Sequence, residues 1–386
     1  MSATTRITDR LVIGGGLAGS MVGLRLAAAG REVTLLERER GPHHKVCGEF
    51  LSPEAQEYLK QAGVDPLALG AQAIQRVRLT SKRRVIETNL PFTALSVSRC
   101  VLDEALLARA AQEGCRVKRG AFVESLTIGD GLWRAQLRGG ECWSAPTVFL
   151  ANGKHDLHGF ERKPAPQADL VGFKLHWRLT PDQTDALREL MELYLFPGGY
   201  GGLSLVEGDV ANLCLVVRRS VLRSKGGWPE LLAAIQNENP HIAERLSSAT
   251  PLWGRPLAVS PIPYGYLAGQ PNGLWCVGDQ AAVIPSFTGD GMSIALHSAT
   301  LAAQMYLAGE SADHYQQKLR ANLGRGMRLA TFLSRAMVTG IGRATAPIGL
   351  AAFPGALRWI AHSTRIPERD LYKSTELAPA ARGQAS

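Results

Sequence analysis

Residues 9–39, DRLVIGGGLAGSMVGLRLAAAGREVTLLERE, constrain the fold more than any other part of the chain. The apolar residues Leu11, Val12 and Ile13 lead into Gly14-Gly15-Gly16-Leu17-Ala18-Gly19. A segment rich in small residues follows, and a second apolar run closes on Glu37. Strand, glycine turn, helix and strand in that order predict the βαβ unit that binds a dinucleotide. Gly14 permits the tight turn and Gly16 lets backbone approach a pyrophosphate. Gly19, helped by Gly23, lets the helix lie close to the strand. The helix start offers free N–H groups and a partial positive charge to phosphates. Glu37 stands 18 residues after Gly19, at the end of the second strand, where a carboxylate can accept hydrogen bonds from a ribose diol.

A chain of 386 residues can bury a large core in about two domains. Its composition, 45% hydrophobic and 20% charged, excludes collagen-like and disordered classes. The polar start, MSATTRITDR, lacks the apolar core of a signal peptide, which predicts a cytoplasmic location. The low-charge stretch 344–357 contains Pro347 and Pro354 and is too short and broken to span a membrane. The six cysteines show no CxxC spacing and no Cys/His cluster, so neither structural zinc, any other metal, nor a disulfide framework is expected. Of the 43 Lys and Arg, 11 fall in 318–386 against three acids, leaving 32 against 31 in the first 317 residues. The net charge of +9 therefore belongs to a C-terminal segment, not to a nucleic-acid-binding face.

Strands are expected over 76–88, a strand and helix over 95–114, and further strands at CRVKRGAFVESL, LWRAQL and TVFLANG. Residues 166–254 change character to alternating strands, a short helix over 184–193 and the glycine-rich LFPGGYGGLSLVEG, which predicts an inserted, largely antiparallel domain. The chain returns with VGDQAAVIPSFTGDGMSIAL, a strand, a Gly/Pro loop and a long helix. Leu319, Leu323, Met327, Ala330, Leu333 and Met337 then form one apolar helical stripe, with Lys318, Arg320, Arg325, Arg328 and Arg335 on the other side. That pattern fits a surface helix with a solvated basic face, or one that meets an anionic membrane or an acyl-carrier protein. The expected class is α/β: a Rossmann-type domain from 1–75, 95–165 and 255–310, a mainly antiparallel substrate domain from 76–94 and 166–254, and a helical C-terminal region from 311–386.

Three of these segments together, in order and spacing, resemble the FAD-dependent aromatic hydroxylases (group A flavoprotein monooxygenases) and their relatives, the geranylgeranyl reductases and flavin halogenases. The likeness covers about residues 9–310. It implies that Gly14, Gly16, Leu17, Ala18, Gly19, Glu37 and Arg38 hold the ADP half of FAD. SVSRCVLDEAL is similar to the family's R-x-x-L-D-x-x-L, which would set Arg99 over the pyrophosphate and the Val123 backbone against adenine. VGDQAAVIPSFTGDGMSIAL is similar to GD-x-A-x-x-x-x-P-x-x-G-x-G. Gly278 would end a strand and Asp279 would bind the ribitol. Pro285 would shape the loop at the isoalloxazine, and Gly289, Gly291 and Met292 would open a helix whose positive end faces the flavin.

KVCGEFLSPEA resembles the reductases' C-G-E loop, which implies Gly48 at the flavin, with Cys47 either facing the ring or serving as a structural thiol. ELYLFP resembles their Y-x-W-x-F-P, with Glu192 and Tyr194 replacing the aromatic pair. The W-x-W-x-I-P and lysine signals of tryptophan halogenases are missing. Asn152-Gly153 stands where the hydroxylases carry Asp-Gly, and no second GxGxxG follows a strand. NAD(P)H is the expected electron donor, directly or through a partner reductase. The implied activity is hydroxylation of a hydrophobic aromatic or polyketide-like compound through a flavin C4a-hydroperoxide. Double-bond reduction and a non-catalytic lipid-binding escort are the alternatives. His176, Tyr194, Tyr200 and Tyr264 are candidate substrate-binding groups. No side chain stands out as catalytic, because reduced flavin itself supplies the reactivity.

Overall fold

The computed structural model describes residues 5–82, 84–269, 273–342, 344 and 355–371. At its centre lies a five-stranded, all-parallel sheet in the order Trp275–Cys276, Thr147–Leu150, Arg10–Ile13, Thr34–Glu37, Arg116–Arg119. Its strands are apolar on both faces, as a sheet covered by helices requires, with Leu11, Val12, Leu35 and Val148 fully buried. The helix Leu17–Ala28 packs on this sheet through small residues. A Cβ at Gly19 would overlap the Gly14 carbonyl oxygen, and one at Gly23 would lie 2.8 Å from the Cys115 sulfur. Glycine is required here by closeness of approach, not by flexibility.

A nine-stranded sheet forms the second layer, from Gln72–Ser81, Arg84–Ser96, Leu170–Arg178, Glu189–Phe196, Gly199–Val206, Val210–Arg218 and three short strands. All its pairings are antiparallel except Glu189–Phe196 with Gln72–Ser81. Strand periodicity divides its side chains between two faces. Val171, Phe173, Leu175, Leu213, Leu215 and Val217 point outward onto the helices Trp228–Glu238 and Pro240–Leu246, with Leu231, Ile235 and Ile242 closing that core. The alternate set, including Leu193, Leu195 and Val216, faces inward.

The helix expected over 184–193 is shorter and earlier, Pro181–Leu187, with Thr180 capping it and Pro181 at its first turn. Residues 189–193 instead begin a strand, entered through Glu189 at a φ of +57°. Long-range pairing with Gln72–Ser81 outweighs the local helical spacing there. A four-stranded sheet joins Thr5–Ile7, Cys142–Ala145, Leu132–Leu137 and Val123–Gly129.

The C-terminal helix Ala312–Met337 buries Leu319, Leu323, Met327 and Ala330 against the dinucleotide core. Beyond it, Gly355–Ser363 forms a further helix, while most of the stretch 344–357 lies outside the described residues. Among the described residues no helix is long and apolar enough to cross a membrane. All six cysteines are free thiols.

Candidate flavin and substrate site

The helix Leu17–Ala28 starts at Gly16 with no side-chain cap and no acid in its first turn, so its leading amides are left for a ligand. Two cations stand beside that end. A Cβ on Gly16 would lie 3.2 Å from Lys45 Nζ and 3.5 Å from Arg99 Nη2. Asp103 fixes both: it accepts from Arg99 Nε at 2.6 Å, Arg99 Nη2 at 2.8 Å and Lys45 Nζ at 2.7 Å. Burial pushes the Asp103 carboxyl up, but Arg99 and Lys45 outweigh it and hold it at about 2. Burial likewise opposes the Arg99 charge, and Asp103 reverses this and raises the guanidinium further. Two fixed cations over one carboxylate leave a net positive charge at a helix N-terminus, which suits a pyrophosphate.

Glu37, 5% exposed, accepts from Gly15 N at 2.6 Å and from Glu39 N at 2.8 Å. It thus locks the glycine turn, and its remaining lone pairs are what a ribose diol could use. Arg38 is partly exposed and pairs with Glu39 at 3.1 Å. Val123 opens its strand half-buried.

Just beyond the strand Trp275–Cys276, Gly278 (φ +61°) starts a short helical turn, and a Cβ there would meet the Ala18 Cβ at 3.0 Å. Asp279 follows, 3.7 Å from Lys154 Nζ, while Arg162 Nη1 donates to its backbone oxygen at 3.1 Å. Pro285 sets a single helical turn, Ser286–Thr288, and Gly289 (φ +75°) packs under the Phe50 ring. Gly291 then opens the helix Gly291–Leu307, with open space where its Cβ would be. Gly48 also faces open space.

Between these elements lies a cavity of about 450 Å³. Cys47, Gly48, Asp279, Gly289, Gly291 and Met292 line one side of it. Leu79, Met191, Leu193, Leu195, Cys214 and Val216 of the large sheet form the facing wall. Leu333, Met337, Ile360 and Thr364 of the C-terminal helices close a third side. Of the residues that the sequence assigns to the isoalloxazine end, Cys47, Gly48, Gly289, Gly291 and Met292 line one chamber, while Pro285 shapes the loop beside it without lining it; those assigned to the pyrophosphate converge on the Gly16–Arg99 cradle. The bare glycines, the uncapped helix and the paired cations fit an extended FAD molecule.

The four candidate substrate groups separate. Tyr200 and Tyr264 line the cavity. Tyr264 Oη donates to Ser286 Oγ at 2.8 Å, and Tyr200 Oη lies 3.4 Å from Ser334 Oγ. Burial pushes both phenols above their ordinary value, so they stay protonated. Tyr194 points to the opposite face of the sheet, fully buried among Leu190, Phe196 and Leu203, and donates to Glu192. It does not line the cavity, because one residue of parity separates it from Leu193 and Leu195.

His176 is buried, and its Nε2 lies 3.1 Å from Glu49 Oε2. Glu49 is fully buried in a left-handed turn (φ +59°), bonded also to Lys174 Nζ and, at 2.8 Å, to Arg99 N. Burial would raise the Glu49 carboxyl, but the His176 bond and the Lys174 charge outweigh it and keep it low. This cluster clamps the Cys47-Gly48-Glu49 loop to the sheet, and Asn212 Nδ2 adds a bond to Cys47 O at 3.2 Å. His44, Glu49 and His176 offer three ligand-type atoms within 4.8 Å. The Lys174 ammonium on the same carboxylate opposes a second cation there.

Asp290 also stands out. It is 1% exposed, its Oδ1 has no partner among the described residues, and Oδ2 accepts a long bond of 3.4 Å from Thr364. Burial pushes its carboxyl up to about 7, with Arg365 pulling the other way. The motif picks out Arg99, Asp279 and the glycines. Asp103 and Glu49 stand inside R-x-x-L-D-x-x-L and C-G-E but carry no assigned role there, whereas Lys45 and Lys174 escape the motifs, although Lys174 shares a strand face with His176.

Residues 7–144 match the family model described as FAD binding domain. The chain is similar to a menaquinone reductase of Mycolicibacterium smegmatis, 24% identical over 349 residues, covering 84% of this chain and 83% of that protein. It is similar to digeranylgeranylglycerophospholipid reductase 2 of Methanopyrus kandleri, 25% identical over 360 residues, covering 85% and 86%. Among solved structures it superposes on the myxobacterial chondrochloren halogenase CndH with a TM-score of 0.74, at 21% identity, covering 98% of this chain and 94% of that one. The chain is accordingly an FAD-dependent oxidoreductase: residues 7–144 carry an FAD binding domain, and the whole shares its fold with the halogenase CndH.

Proposed function

We propose that the protein is a flavin monooxygenase hydroxylating a neutral, hydrophobic compound with a phenolic or polyketide-like ring. The observation that carries this reading is the chamber's lining: aliphatic walls with the protonated Tyr264–Ser286 pair set at the flavin loop. Aliphatic walls favour hydrocarbon, and the Ser286 hydroxyl, which accepts from the protonated Tyr264 phenol, keeps its own proton to donate to a ring oxygen without demanding a charge. Bound FAD supplies the two-electron chemistry that activates oxygen. The chain's own work is to hold the cofactor at the Gly16–Arg99 cradle, to orient the ring with the Tyr264–Ser286 pair, and to keep water out with Leu333, Met337 and Ile360. Electrons come from NAD(P)H, directly or through a partner reductase.

A second reading, reduction of a prenyl-type double bond, is favoured by the Cys47-Gly48-Glu49 loop and by the reductase relatives. Oxygen separates the two. Product that carries an atom from labelled oxygen gas supports hydroxylation; anaerobic saturation of an added prenyl compound by the reduced protein overturns it. A colourless protein that takes up no flavin would leave only the escort reading.

A further inference from the structure

The outer surface of the C-terminal helices carries large apolar side chains in the open. Phe332 is 71% exposed and Trp359 59%, whereas Phe149, Phe196 and Tyr315 are fully buried. On the helix Ala312–Met337, Arg325, Arg328, Phe332 and Arg335 recur at spacings of three and four, so they share one face, and all four are exposed. Among the described residues no acid pairs with Arg325, Arg328 or Arg335. The chain neighbours of the two aromatics, Leu333 and Ile360, line the apolar cavity. Two helices thus separate a hydrocarbon-lined chamber from a surface that is aromatic and cationic together.

From this juxtaposition we infer that the helix face bearing Arg325, Arg328, Phe332 and Arg335, together with the exposed Trp359 of the helix Gly355–Ser363, docks on an anionic lipid bilayer. Aromatic rings exposed to this degree gain free energy by entering the acyl boundary, and interleaved arginines meet lipid phosphates. An acidic carrier protein would use the arginines but gives Phe332 and Trp359 no hydrocarbon to enter. The surface serves either flavin reaction, so it does not depend on the choice between them.

The test is flotation of the full chain with phosphatidylcholine vesicles, with and without phosphatidylglycerol. Association is expected only with the anionic vesicles, and it should weaken as salt rises. Each arginine-to-glutamine change should lower partitioning about fivefold, and R325Q/R328Q/R335Q together on the order of a hundredfold. Phe332→Ser and Trp359→Ser should each lower it by about tenfold. Unchanged circular dichroism and melting temperature show that these surface variants fold. Equal partitioning to both vesicle types overturns the inference. So does binding that ignores the aromatic variants, or binding to an acyl-carrier protein with none to vesicles.

Discussion

Replacing Asp290 by asparagine should make the protein more stable at neutral and alkaline pH, and not in acid. Asp290 sits buried at the start of the helix Gly291–Leu307, with one oxygen unpartnered among the described residues. Its carboxyl rises from 3.8 to about 7, because burial penalises the charged form more than Arg365 rewards it. The native state then keeps this proton over a range where the unfolded chain has released it. The contribution is fully present below about pH 4 and is lost as pH rises through about 7. A rise of that size corresponds to on the order of 4 kcal/mol. The asparagine amide of the Asp290→Asn variant would mimic the protonated carboxyl and cannot ionise. Urea unfolding of both proteins from about pH 3.5 to 8 should give nearly equal stability at the acid end. At the alkaline end the variant should be ahead by that amount. A difference that stays flat with pH would show that the carboxyl titrates normally and would refute the burial argument.

Arg99→Ala or Lys45→Ala should weaken FAD about tenfold to a hundredfold, as loss of a charge-assisted phosphate contact implies, read by flavin fluorescence titration. Lys174→Met should cost about 3–5 kcal/mol in chemical unfolding by stranding Glu49, and the double change with Glu49→Gln should recover much of it. Tyr264→Phe should raise KM for an oxygen-bearing ring substrate at little cost in stability. Tyr194→Phe should do the reverse, lowering Tm and leaving KM alone, because its hydroxyl serves Glu192 on the far face of the sheet.

The dinucleotide unit is legible in the sequence because its information is local: Gly14, Gly19 and Glu37 all act within one strand–turn–helix–strand segment. The loop at Asp279 to Gly291 is legible for the same reason. The Glu49–Lys174 clamp is not, since its partners stand 125 residues apart and meet only through the fold. Tyr194 falls in the expected substrate region, but the choice of face depends on register, which pairing with Gln72–Ser81 fixes. The early end of the helix at Leu187 has the same origin, because sheet pairing claims residues from 189 onward.

The account rests on FAD lying across the body from the Gly16–Arg99 cradle to the chamber beside Gly291. Titrating the colourless apoprotein with FAD, and following flavin fluorescence and melting temperature together, tests that placement most directly. Saturable uptake of one FAD per chain with a rise in Tm, abolished by a bulky residue at Gly16, is the result expected. No uptake, or uptake indifferent to Gly16 and Arg99, would contradict it.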